Sequence, residues 1–211
     1  MYYIQGDGFP HPNEANADGL LAIGGDLSVQ SLLNAYSMGI FPWFNEDEPI
    51  LWWHPDPRLV LFPKEIKVSK SMKQLLNKQV FEFSVNEDFE TVILNCKMLR
   101  AESGTWIGKD VLQAYLDLHI AGYAHSFEVR KEGKLIGGLY GVGIGKVFFG
   151  ESMFSLESNA SKAALIYLCY FAMQNGIELI DCQQSTAHLL SMGAKEISRN
   201  DFLDLLEKWI E

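Results

Sequence analysis

The sequence predicts an α+β fold, and three observations carry that prediction. Between Val68 and Gly122 apolar residues recur at helical spacing, whereas from Ser126 to Phe154 they fall into short runs punctuated by glycine, as in hairpin strands. A strongly apolar helical stretch over 159–175 then separates two strand-like runs, 146–154 and 177–183. Upstream, PILWWHPDPRLVLFP (49–63) is strand-like at its ends but carries four prolines in 15 residues, which suits an irregular connection. We read that stretch as a seam between a small N-terminal domain, 1–60, and a larger one, 61–211, in which a mixed sheet packs against helices.

Each element has a local cause. Ser28 is a good helix N-cap, with Leu27 and Leu32 placed as a hydrophobic staple. Leu32, Leu33 and Tyr36 supply the apolar stripe, and Gly39 is placed to stop the helix. Helices follow over 68–78, 88–99 and 110–122, the last entered from a Gly-Thr-Trp-Ile-Gly loop (104–108) and closed by Gly122. Strands over 126–131, 134–145 and 146–154 are antiparallel, joined by tight turns at Glu132-Gly133 and around Gly145. The apolar helix ends at Asn175-Gly176, a buried strand follows over 177–183, and a last helix covers 200–210.

Composition narrows the function. At 211 residues, with 48% hydrophobic and 21% charged residues, the chain can bury a sizeable core and does not read as disordered. The N-terminus lacks the basic and apolar regions of a signal peptide, and the longest apolar run, 11 residues over 163–173, falls short of a membrane span. Cys96, Cys169 and Cys182 show no CxxC spacing, which argues against a disulfide framework and a zinc site. We expect a reduced, cytoplasmic protein without a membrane partner. The net charge of −10 speaks against broad nucleic-acid wrapping and suits a cationic substrate. Against that background, Arg58, Lys64, Lys67, Lys70, Lys73 and Lys78 face one acid, Glu65. This stretch is either a solvated face or a local phosphate-binding patch.

Chemistry is expected where strands end in carboxylates. Glu151 and Asp181 each follow an apolar strand run, and one helix joins the two strands. That arrangement favours parallel neighbours with the same ends aligned. The two acids are then close, at the ends where α/β ligand sites lie. Gln183, two residues beyond Asp181, faces the same side. The alternative is that Asp181 merely ends its strand and Glu151 exits to solvent. Buried unpaired carboxylates cost several kcal/mol, which a cationic ligand would offset. By alternation Cys182 points away from the acids, so a structural cysteine is favoured over a thiol nucleophile paired with His188. The glycines of GGLYGVGIG (137–145) lie within strands and precede no helix, so they mark close approach of a ligand or backbone rather than a nucleotide loop.

In order along the chain, GLLAIGGDLS, AYSMGIFPWF, PILWWHPDPR, GTWI, AYLDLH, AHSFEV, GGLYGV, GESMFS, NASK and LIDCQ resemble the leucyl/phenylalanyl-tRNA–protein transferase family, from about Phe9 to Phe202. The resemblance departs over Gln184–Ala187, and the longer C-terminal tail of some relatives is expected to be absent. It implies a small N-terminal α/β domain and a GNAT-like catalytic domain, with no metal or coenzyme. The implied partners are Leu-tRNA and Phe-tRNA, with Met used less well, and proteins bearing N-terminal Arg or Lys; the products enter N-end-rule degradation. Residue by residue it implies Glu151, Asp181 and Gln183 as catalytic, with Asp181 collecting the amine's proton directly or through Gln183. Trp43, Trp106 and Tyr36 are implied at the substrate, and Phe148 at the amino-acid pocket. Lys67, Lys70 and Lys73 are then placed to meet tRNA backbone.

Overall fold

The computed structural model of the protein describes residues 2–4, 8–100 and 107–210. Two sheets divide the chain between Trp53 and Arg58. The smaller has the order β1-β2-β4-β3, built from β1 (Tyr2–Ile4), β2 (Leu20–Gly24), β3 (Phe41–Pro42) and β4 (Leu51–Trp53). Helix α1 (Val29–Ser37) joins β2 to β3, and Ser28 caps it by accepting from the Ser31 N–H. Leu32, Ala35 and Tyr36 are on its buried face; of the expected stripe, Leu32 and Tyr36 are buried and Leu33 is only partly so.

The larger sheet has seven strands in the order β11-β5-β10-β9-β8-β7-β6. They are β5 (Arg58–Leu61), β6 (Glu82–Val85), β7 (Ala124–Lys131), β8 (Lys134–Ile144), β9 (Val147–Ser155), β10 (Leu179–Gln183) and β11 (Lys195–Ile197). Every pairing is antiparallel except β9 with β10, which run parallel as the strand–helix–strand pattern expects. The 49–63 stretch is strand at both ends, as expected, with an irregular link over 54–57 between them. Its two ends are β4 and β5, and its prolines sit outside both strands. The expected division at residue 60 falls inside β5, which pairs wholly within the larger sheet.

Helices cover both faces of the larger sheet. One face packs Val60, Phe149, Leu179 and Val142 against α3 (Phe89–Arg100), α4 (Lys109–Ile120), α7 (Arg199–Trp209) and the N-terminal unit. The other packs Leu61, Phe148, Ile180 and Phe127 against α5 (Ala160–Gln174), α2 (Lys70–Asn77) and α6 (Ala187–Ser191). Helix α5 lies close to β8 because small residues meet there. A Cβ built on Gly137 would stand 2.5 Å from the Ala160 Cβ. The glycines of 137–145 thus serve neighbouring elements. The Glu132-Gly133 turn has φ of 51° and 74°, the positive pair a two-residue hairpin needs.

Gly137→Ala should force α5 off the sheet and lower the unfolding free energy by about 1–3 kcal/mol. Gly8→Ala, with nothing within 4 Å of its Cβ, should stay within about 0.5 kcal/mol. Denaturant midpoints of the two variants check both expectations.

Candidate active site in the cleft between two parting strands

Strands β9 and β10 stay paired from Leu179 opposite Val147 to Asp181 opposite Phe149, and then part. A bulge in each strand drives the separation. Against β8, Tyr140 opposes Ser152 and Gly141 opposes Gly150, so Glu151 is the extra residue. Against β5, Asp181 opposes Val60 and Gln183 opposes Leu59, so Cys182 is the extra residue. Bulges sharpen local twist, and two facing bulges open a wedge between parallel neighbours.

The wedge is a cavity of about 410 Å³, within the usual range for small-molecule sites. Met153, Leu165, Leu168 and Leu189 form its apolar wall, and Glu151 and Gln183 supply polar groups. Pro42 and Trp43 of the smaller sheet close one rim. Trp43 is half-exposed and sits edge-on to Trp53, with ring centroids 5.6 Å apart.

Asp181 is fully buried and held by Arg58. Arg58 Nε donates to Oδ1 at 2.8 Å and Nη2 to Oδ2 at 2.6 Å. The guanidinium lies over the rings of Phe41 and Phe202, at 4.9 and 4.6 Å from their centroids. Oδ1 also accepts the Gln183 backbone N–H at 2.9 Å. Gln183 takes φ of 62°, and its Nε2 donates to Glu151 Oε1 at 3.0 Å. One glutamine therefore bridges the two carboxyl groups. Glu151 is also hydrogen-bonded by two buried phenols, Tyr36 to Oε1 at 2.7 Å and Tyr115 to Oε2 at 2.8 Å. Burial pushes the Glu151 carboxyl up to about 7, against the pull of its hydrogen bonds, and the nearby Asp181 charge adds to the rise. Cys182, the extra residue of its bulge, lines the cavity instead of pointing away from it as alternation expects, and burial pushes its thiol well above the ordinary range, which disfavours the thiolate a nucleophile needs.

The structure thus brings Glu151, Asp181 and Gln183 together, with Trp43 at the rim. Three other expected positions differ. Tyr36 is fully buried behind Glu151 rather than on the cavity wall, because its hydroxyl is taken by Glu151 and Tyr115. Phe148 faces Ile180 where the strands are still paired, packs on Phe127 and does not line the cavity. Arg58 is no surface base; it is the buried partner of Asp181. Trp106 lies outside the described residues. Lys67, Lys70 and Lys73 are exposed, and among the described residues none pairs with a carboxylate. The Lys67 N–H donates to Met192 O at 2.8 Å, which sets this basic strip beside α6 and the cavity wall. Among the described residues, no group of three or more His, Cys, Asp and Glu could hold a metal ion, and no helix is long and apolar enough to cross a membrane.

Family models match in two blocks. Residues 60–207 match "Leucyl/phenylalanyl-tRNA protein transferase" and residues 25–56 match its N-terminal domain. The chain belongs to the leucyl/phenylalanyl-tRNA protein transferase family. A relative of that name from Flavobacterium johnsoniae is 50% identical over 210 residues, covering 98% of this chain and 99% of its own. Another, from Shewanella piezotolerans, is 55% identical over 202 residues, covering 94% and 86%. Among solved structures, L-PGS from Bacillus licheniformis is similar at a TM-score of 0.45 and 11% identity, over 79% of this chain and 54% of that one. A GCN5-related N-acetyltransferase from Kribbella flavida is similar at 0.41 and 10%, over 79% and 60%.

Sequence reasoning missed Arg58 and Tyr115 as site residues. Arg58 had one signal, a charge opening an apolar strand run. Tyr115 sits on the buried stripe of α4 with Val111, Ala114 and Leu118, where a hydroxyl needs a partner. Asp181→Ala should destabilise the fold by about 3–5 kcal/mol by stranding Arg58, whereas the joint Arg58→Met, Asp181→Leu variant should recover most of that loss. Equilibrium unfolding of the single and double variants measures the difference.

Proposed function

We propose that this protein transfers leucine or phenylalanine, and methionine less well, from aminoacyl-tRNA to the N-terminal Arg or Lys of acceptor proteins. The products are thereby marked for N-end-rule degradation, and the reaction takes place in the cytoplasm. The observation that carries this reading is the cleft itself. An apolar wall sized for one amino-acid side chain meets a glutamine held at both ends by carboxyl groups. Family membership and similarity over nearly the whole length of relatives bearing this name support it.

The reaction suits so modest a set of groups. The donor is an activated ester and the nucleophile an α-amine with a pKa of about 7.7–8.0, so a useful fraction is neutral near physiological pH. The amine nitrogen attacks the ester carbonyl, the bond to the ribose oxygen breaks, and the amine's proton ends on that oxygen. Holding the two reactants in line contributes on the order of 7–11 kcal/mol. Gln183 receives the amine on its amide oxygen, since its nitrogen is engaged by Glu151. Asp181 is fully buried, with both oxygens accepting from Arg58 and Oδ1 also from the Gln183 N–H, so we assign it to holding Gln183 in place. The aminoacyl side chain lies against Met153, Leu165 and Leu168, and Trp43 stacks the terminal adenine. Lys67, Lys70 and Lys73 meet the acceptor-stem phosphates. Lys70 and Lys73 stand in the N-terminal half of α2, where the helix dipole gives cations no support, so a bound anion accounts for them better than stability does.

Transfer of labelled phenylalanine from Phe-tRNA to a peptide beginning with Arg should proceed, and to one beginning with Ala should not. Loss of that distinction overturns the reading. Gln183→Ala should lower kcat/KM by about 100-fold or more. Replacing Lys67, Lys70 and Lys73 together by alanine should flatten the log–log salt dependence of tRNA binding by about three. An unchanged slope removes these lysines from the interface.

A further inference from the structure

Three oxygen-bearing groups meet behind the cleft, and their protons can be counted. Tyr36 O lies 2.7 Å from Glu151 Oε1, Tyr115 O lies 2.8 Å from Glu151 Oε2, and the two phenol oxygens lie 2.5 Å from each other. Each of these contacts is short enough to need a shared proton. The two phenols supply only two. Were Glu151 ionised, both phenols would donate to it. Their own oxygens would then face each other at 2.5 Å with lone pairs alone.

We infer that Glu151 stands in the resting site as a neutral carboxylic acid that closes a ring of hydrogen bonds with Tyr115 and Tyr36, and that Tyr115 is the positioning residue that keeps the proton on Oε2. Oε1 is excluded as the proton's seat because it already receives Tyr36 and the Gln183 amide. The ring then runs one way round. Oε2–H donates to Tyr115, Tyr115 to Tyr36, and Tyr36 to Oε1. Chains of this kind strengthen each member.

The groups facing Glu151 come from several elements: Tyr36 on α1, Tyr115 on α4, and Gln183 and Asp181 on β10. Tyr140 of β8 faces the two phenols. Asp181 is the one acid among them, and Arg58 offsets its charge. A neutral Glu151 leaves the cleft floor without net charge. That matters for the proposed reaction, on which this functional consequence rests: an ionised carboxylate here would hold the incoming α-amine as an unreactive ammonium, whereas a neutral acid receives it as the free amine.

Infrared difference spectra of the substrate-free protein test the ring independently of any transfer assay. Wild type minus Glu151→Gln should show a carboxylic-acid carbonyl band at mildly acidic pH that titrates away with a midpoint near 7. Should the Glu151→Gln variant fail to fold, wild type carrying carbon-13 in its glutamate carboxyls reports the same band, since ordinary glutamates are ionised in that range. Tyr115→Phe tests the direction of the bond through the neutral acid alone. If Tyr115 accepts the Glu151 proton, its loss leaves the O–H without that acceptor and should move the carboxylic-acid carbonyl band to a different wavenumber at mildly acidic pH. An unmoved band in Tyr115→Phe, or no band in wild type below neutrality, overturns the inference. A band that titrates as expected in a protein without transfer activity would keep the ring and remove the proposed function.

Discussion

The site depends on one buried ion pair. Arg58 opens β5 and Asp181 ends the paired part of β10, and neither side chain reaches water. A buried pair of this kind adds little net stability over well-packed apolar residues, but leaving either charge alone is expensive. Any arrangement of these strands that separates Arg58 from Asp181 is therefore penalised. Asp181 Oδ1 has capacity beyond its bond from Arg58, and the Gln183 N–H takes it. The bulge at Cys182 and the left-handed backbone of Gln183 both follow from that contact.

From this constraint the rest of the cleft follows by geometry. A bulged β10 cannot stay registered with β9, which carries its own extra residue at Glu151. The strands part, and α5 and α6 supply an apolar wall to the gap. Polar groups that would otherwise be orphaned in a core satisfy one another across it. Gln183 links the two acids, and two phenols cover the far side of Glu151. The cavity is thus apolar where a side chain would lie, and where an amine would arrive it presents a glutamine fixed by its backbone N–H and its side-chain nitrogen.

Much of this was legible in the sequence. Helices α1, α2, α3, α4, α5 and α7, the β7–β9 meander and the parallel β9–β10 pair follow from periodicity, capping and turn chemistry. The meeting of Glu151 with Gln183 was legible too, because one helix joins two strands that each end in a polar residue. What failed was counting by twos through a bulge. Phe149 and Phe154 pack in the same core cluster although they are an odd number of residues apart, which only the extra residue at Glu151 permits. Phe148, which the family resemblance and not alternation put at the pocket, lies before the bulge under the paired part of the sheet, and Met153, beyond the bulge, lines the cavity. Arg58 could not be recognised as Asp181's partner because the pair is separated by 123 residues and no local pattern links them. The short strands β1, β3, β4 and β11 carry two or three residues each, too few for alternation to register.

The rim formed by Pro42 and Trp43 and the bond from Tyr36 to Glu151 have a consequence for inheritance. The smaller sheet and α1 do not sit beside a finished catalytic unit; they supply part of its lining and one of its buried hydroxyls. Such a segment cannot be traded between proteins as an independent cassette. Its sequence and that of the larger unit are bound to drift in concert, each limiting the changes the other can accept.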